Sequence, residues 1–236
     1  MRDILQATRP SVGIQAYFGR IYNYMAGGLL ISALMAWLSV KEPLLGLFYR
    51  VSPDGMMSMT ILGWIAVFAP LLVVFFAGSA ISKLNVQKAK LWFLLFSALM
   101  GISLGNIFFL YSGAAIFQAF LVTAGMFLGL SLIGVKTDKD LTGFGRFLMM
   151  GLMGIILAAL VNLVVGSGFF NFVLNVLSVI VFVGLTVYDT NRLKSNYNIA
   201  DSSEVTEAKA IQGALALYLD FINLFRLILY FLSDRR

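Results

Sequence analysis

Asp189 and Asp220 are the residues whose setting in this chain could support chemistry. Asp220 lies inside the apolar run 210–231 (AIQGALALYLDFINLFRLILYF), with Arg226 further along it. The other long apolar runs hold no Asp, Glu, Lys or Arg. An aspartate at mid-membrane depth costs about 2.5–3.5 kcal/mol on insertion scales. A chain that keeps charge out of every other run and places it in this one has a use for it, and an ionisable residue at that depth is read first as functional. Asp189 sits in T-V-Y-D-T-N-R, directly after the apolar run 169–188. Brought together, two buried carboxyl groups cannot both ionise cheaply. They share a proton, which makes a pH-dependent latch in a protein without histidine. The two meet only if the run ending at 188 continues as helix past Asp189, or if the last run dips. Asn223 lies one turn beyond Asp220 on the same face and could add an oxygen. Arg226 is about 240° around the helix from Asp220 and is a poor partner for it, but with Lys83 and Asn223 it is a candidate latch or pathway residue.

Blander readings stand beside these. Asp189 could be an interfacial residue near Arg192, and Asp220 a buried partner of a neighbouring span's amide or hydroxyl. A membrane aspartyl protease would also place two aspartates on adjacent helices, and Tyr188-Asp189 matches half of such a site. The other half needs Gly-x-Gly-Asp where this chain has Tyr218-Leu219-Asp220. There is no His-Glu-x-x-His, P-loop or nucleophile elbow, and no enzyme class is expected.

Composition narrows the rest. The 236 residues are 60% hydrophobic and 12% charged, whereas a soluble domain has about a quarter of its residues charged. Cys and His are both absent, which removes disulfides, thiol chemistry and imidazole ligands. A metal would have to be a hard, oxygen-bound ion such as Ca²⁺, and Asp189 with Asp220 would be its weak ligands. No resident cofactor is expected. The formal charge of +6 suits basic loops of a membrane protein, and no basic stripe with exposed aromatics points to nucleic acid.

The elements that must carry these residues form an all-α, polytopic membrane protein. Seven runs qualify as spans: 21–40, 58–78 (with Pro70 inside, hence a kink), 91–110, 114–134, 147–167, 169–188 and 210–231. Links at 111–113 and 166–168 are short enough to force antiparallel hairpins. Residues 1–20 read as a cytoplasmic N-terminal segment, 21–231 as one transmembrane domain, and 232–236 as a short basic tail. The first run is too long for a signal peptide and has no cleavage signature, so it is expected to stay as an uncleaved span. With the N-terminus inside, the cytoplasmic segments collect twelve of the 17 Lys and Arg, including Arg20, Lys83, Lys90, Lys136, Arg192 and Lys209. The opposite side collects Lys41, Arg50, Arg235 and Arg236, so the bias favours N-in and C-out; a re-entrant last run would instead return Arg235 and Arg236 to the inside. Gly101/Gly105 and Gly125/Gly129 have the spacing of close helix packing, and Asn106, Gln118, Asn162 and Asn175 are expected to bond between helices.

Six pieces of the chain resemble the transmembrane Bax inhibitor motif family in its bacterial branch. They are Y-N-Y-M-A-G-G-L-L, G-I-S-L-G-N-I-F-F-L-Y, A-F-L-V-T-A-G-M-F, the T-D-K-D-L-T loop with Gly143 to Arg146, T-V-Y-D-T-N-R, and L-Y-L-D-F-I-N-L-F. The resemblance runs from about Tyr22 to Phe231, and its last two motifs together are specific. It implies seven transmembrane helices with the last one central, and an aspartate pair near the cytoplasmic side acting as a pH sensor, which maps onto Asp189 and Asp220. It implies a pH-sensitive calcium leak channel. It also implies an alternative, a non-conducting regulator of a membrane protease or of a stress or cell-death partner. Family members with a described latch carry an Arg at the cytoplasmic end of span two. This chain has A-G-S-A-I-S-K-L there, and Lys83 is the available point charge. The expected setting is a bacterial cytoplasmic (inner) membrane, with the lipid bilayer and calcium or other cations as partners.

Overall fold

The computed structural model describes residues 2–51, 57–80 and 85–232, with side chains over 13–50, 58–70 and 85–232. The chain is helical almost throughout. α1 is Arg2–Ser39, α2 the single turn Leu45–Phe48, α3 Ile61–Ala80, α4 Val86–Leu104 and α5 Ile107–Leu110. α6 is Gly113–Lys136, α7 Thr142–Val165, α8 Gly168–Asn196 and α9 Ser203–Leu232. Two short strands, β1 (Tyr49–Val51) and β2 (Met57–Met59), pair antiparallel with Tyr49 opposite Met59.

Among the described residues, six helical segments are long and apolar enough to cross a membrane: Gly13–Ser39, Val86–Leu110, Gly113–Lys136, Thr142–Val165, Gly168–Asn196 and Ser203–Leu232. The span expected over 58–78 falls on α3. It stays helical through Pro70 for 20 residues, but its side chains are described only as far as Pro70. Six candidate spans therefore stand where seven were expected. α1 runs unbroken through residue 20, where the expected N-terminal segment was to end. The span expected over 91–110 is interrupted at Gly105–Asn106, between α4 and α5.

The chain divides into two compact units. One takes residues up to Gly113 together with Asn198–Leu215; the other takes Ala114–Tyr197 together with α9 from Ala216 onward.

In the first unit, α1 and α4 pack through small residues spaced four apart. Ser32 Oγ donates to the Ser97 carbonyl at 2.6 Å. A Cβ on Gly28 would stand 2.8 Å from Ser97 Oγ, and one on Gly101 would meet Ser32 and lie 2.8 Å from Met35 Cβ. Gly105 faces Ser39 in the same way. In a bilayer there is little hydrophobic force between helices, so such close backbone approach is what holds them. The expected packing role of Gly101/Gly105 is met here. Gly125 and Gly129 have nothing within 4 Å of a built Cβ among the described residues, so their spacing carries no helix contact.

In the second unit, the α7–α8 hairpin follows from local chemistry. Gly166 caps α7 at φ 68°, a left-handed conformation that glycine takes without a Cβ clash. Asn162 Oδ1 accepts from the Ser167 amide at 3.1 Å, and Ser167 Oγ accepts from the Phe170 amide at 3.2 Å to cap α8. α6 meets α8 at Gly134, where a Cβ would lie 2.6 Å from the Val187 carbonyl oxygen. Gly145 of α7 lies against the Tyr188 ring. Phe221 of α9 packs edge-on to Phe120 and Phe127 of α6, with ring centroids 5.7 and 5.6 Å away.

Half of the most apolar stretch of α9 is buried, compared with 6% in α7. Ala214, Leu217, Tyr218 and Leu224 are fully covered. α7, by contrast, presents Leu163, Val164 and Val165 outward, as a lipid-facing helix does.

Candidate functional site: a carboxyl pair on the last two helices

Both helices that carry the aspartates extend beyond their apolar stretches. α8 runs seven residues past Asp189 to Asn196, and α9 begins at Ser203, seven residues before Ala210. The polar ends of these helices are hydrophilic by composition but still helical, which is the condition under which the two acids can meet. Asp189 and Asp220 stand within side-chain hydrogen-bonding reach of each other. Asp220 is 4% exposed, and its Oδ2 has no hydrogen-bond partner among the described residues. Asp189 is half-buried and feels the charge of Arg192, one turn further along α8. A carboxyl oxygen buried without a partner is costly. A single proton between the two acids relieves part of that cost, because it turns one carboxyl into a donor.

Nearby polar side chains donate their hydrogens within their own helices, which leaves their oxygens to accept. Thr186 Oγ1 donates to the Phe182 carbonyl and Thr190 Oγ1 to the Thr186 carbonyl, each at 2.8 Å. Asn223, expected to add an oxygen, donates its Nδ2 to the Leu219 carbonyl of its own helix at 2.9 Å. Arg226 is exposed, in keeping with its angular offset from Asp220. Lys83 lies outside the described residues, as do Arg235 and Arg236. Among the described residues, no group of three or more acidic side chains could hold a metal ion. Two carboxyls fall well short of the roughly 6–8 oxygens of a tight Ca²⁺ site.

The continuation of α8 beyond Asp189 is fastened to the α6–α7 loop. Asn191 Nδ2 donates to the Thr137 carbonyl at 2.7 Å and the Gly134 carbonyl at 3.4 Å. Lys194 Nζ pairs with Asp138 Oδ1 at 2.6 Å and holds that carboxyl below the usual aspartate range. Asp140 Oδ1 accepts from the Thr142 hydroxyl at 2.6 Å and the Thr142 amide at 2.8 Å. Those two bonds likewise hold the Asp140 carboxyl low. The T-D-K-D-L-T loop is thus a built connection, tied at one side by α8 and at the other by its own cap on α7.

Interhelical bonding by asparagine falls at other positions than expected. Asn191 makes the bonds just described, and Asn171 Nδ2 reaches the Tyr230 hydroxyl at 3.5 Å. Asn162 bonds within its hairpin, Asn175 donates to the Asn171 carbonyl of its own helix, Asn106 makes no side-chain cap bond and Gln118 is exposed.

Sequence reasoning also missed Glu207, in the first unit. Its carboxylate takes Lys90 Nζ at 2.8 Å, Arg20 Nη1 at 3.2 Å and the Tyr24 hydroxyl. Lys90 in turn lies 5.4 Å from the Tyr24 ring centre. A signal for this was present. Arg20 and Lys90 each stand immediately before an apolar run, and so share one depth with an acid at the start of α9.

The family described as Inhibitor of apoptosis-promoting Bax1 matches residues 14–236. The inner membrane protein YbhL of Escherichia coli (strain K12) is 38% identical over 230 residues, covering 97% of this chain and 95% of that protein. A protein of Borreliella burgdorferi is 36% identical, covering 100% of this chain and 99% of its own length. One of Caulobacter vibrioides is 38% identical, at 95% and 90% coverage. A family match over nearly the whole chain, together with these relatives of matching length, shows that the chain belongs to the Bax inhibitor family of membrane proteins.

Proposed function

We propose that the protein is a passive, pH-sensitive pathway for cations, with calcium as the permeant ion and Asp189 and Asp220 as its gating pair. The observation that carries this reading is the reach between the two carboxyls, one of them buried in an apolar helix with an oxygen lacking a partner. Holding one proton, the pair is bridged. Losing it leaves two like charges in a low-dielectric setting, which repel or recruit a cation. The small donor set suits conduction, because an ion that must leave again needs weak binding. We place the protein in a bacterial inner membrane with its N-terminus inside, on the distribution of Lys and Arg and on the printed name of the E. coli relative. We assign it seven spans, the seventh being α3, and no enzymatic step. Calcium flux in liposomes carrying the Asp189→Asn/Asp220→Asn double variant tests the reading: the pH response should vanish, and an unchanged response removes the gate.

The family's description as an inhibitor favours a second reading, in which the protein regulates a membrane protease or another integral partner and conducts nothing. Recovery of a specific partner from membranes, lost on deleting residues 1–20 and accompanied by no flux, would support it.

A further inference from the structure

We propose that the end of the second unit formed by the α6–α7 loop and the last turns of α8 is a docking rim for the phosphate headgroups of anionic phospholipids. Lys136, Lys139, Arg146 and Arg192 are all exposed there. Each adjoins a part of the loop fastening, which fixes where it stands. Lys136 precedes Thr137 and Arg192 follows Asn191, the two ends of the 2.7 Å bond. Lys139 follows Asp138, which Lys194 holds at 2.6 Å. Arg146 lies one turn beyond Thr142, which Asp140 caps.

The acids of this end are already engaged: Asp138 by Lys194, and Asp140 by Thr142. Arg146 feels Asp140, and Arg192 feels Asp189, only at longer range. Among the described residues none of the four cations forms an ion pair within 4 Å. Asp140 keeps its negative charge near Arg146, and with four cations beside the Lys194–Asp138 pair the rim stays net positive on a fastened loop.

Depth identifies the occupant. One turn inward from Lys136, Leu132 and Ile133 face outward, the latter 55% exposed; beside Arg146, Phe144 and Phe147 do the same, the latter 65% exposed. Those side chains require hydrocarbon around them. The cations next to them then lie where hydrocarbon ends and phosphate begins. Lysines and arginines at that level attract anionic lipid, and an arginine can grip a phosphate with two parallel hydrogen bonds.

The test is the thermal midpoint of the full chain in nanodiscs of phosphatidylcholine with increasing phosphatidylglycerol. The wild-type midpoint should rise with the anionic fraction and the rise should shrink in high salt. The Lys136→Gln/Lys139→Gln/Arg146→Gln variant should show at most about half of that rise. A Lys136→Arg/Lys139→Arg variant, which keeps the charge, should retain it and so control for folding. Inorganic phosphate added to neutral nanodiscs should not reproduce it. No rise in the wild type, an equal rise in the neutralised variant, or an equal rise with inorganic phosphate alone would each overturn the proposal.

Discussion

Asp189 and Asp220, on successive helices, come within hydrogen-bonding reach because α8 stays helical to Asn196, two turns past the end of its apolar run. Burial of an unsatisfied carboxyl oxygen at Asp220 costs stability, of order 1–3 kcal/mol. Replacing both members of such a buried pair together with apolar residues of similar size is often neutral or stabilising. The Asp189→Leu/Asp220→Leu double variant should therefore leave stability unchanged or raise it by about 1–3 kcal/mol in detergent, measured by denaturant or thermal unfolding. Marked destabilisation would make the pair a structural hydrogen-bonding unit instead.

Two glycines on α6, five residues apart, should respond in opposite ways. A side chain at Gly134 runs into the Val187 backbone and Thr190, whereas one at Gly129 meets open space among the described residues. Gly134→Leu should cost about 1–3 kcal/mol, the usual range for overpacking. Gly129→Leu should stay within about 0.5 kcal/mol of wild type. Parallel unfolding curves of the two variants check this, and equal losses would contradict the α6–α8 approach.

Glu207 gathers cations from α1 and α4, both of them more than a third exposed. Solvent screening keeps such pairs weak, so Glu207→Gln should cost about 1 kcal/mol. A double-mutant cycle with Lys90→Met should return a coupling of about 0.5–1 kcal/mol. Additive single effects would mean that the contact contributes nothing.

The α8–loop fastening should fail in acid. Asp138 and Asp140 both have folded carboxyl pKa values held below the ordinary aspartate value. Their contribution is therefore present above the unfolded value of about 4 and is lost as pH falls through the lower folded values. The melting temperature should fall on the acid side of about pH 4, and the Asp138→Asn/Asp140→Asn variant should show a shallower fall. An identical acid limb in that variant would place the sensitivity elsewhere.

What could be read from the chain alone was the set of apolar runs, their short links and the two acids, because charge excluded from a bilayer leaves a strong pattern. The hairpin at Gly166 and the close approach at Gly101 were equally legible, since spacing and glycine chemistry are local. The meeting of Asp189 with Asp220 was not, because hydropathy marks where a helix leaves hydrocarbon and says nothing of where it stops being helical. T-N-R-L-K-S-N reads as a loop by polarity, yet Asn191 and Lys194 face the α6–α7 loop and hold that stretch helical. Glycine spacing gave no such contact at Gly125 and Gly129, where no described residue approaches the face. Asparagines were misassigned because helix rotation, which spacing does not reveal, decides whether an amide faces a neighbour or its own backbone. Glu207 was missed because its partners lie far away in sequence.

Control of a cation pathway by the carboxyl pair is open to direct measurement. It is tested by calcium flux into proteoliposomes over a pH series from about 5 to 8, with wild type beside Asp220→Asn. The flux should change with pH in the wild type and lose that dependence in the variant. Well-folded protein that passes no calcium at any pH, or an Asp220→Asn variant with the wild-type pH response, would contradict it.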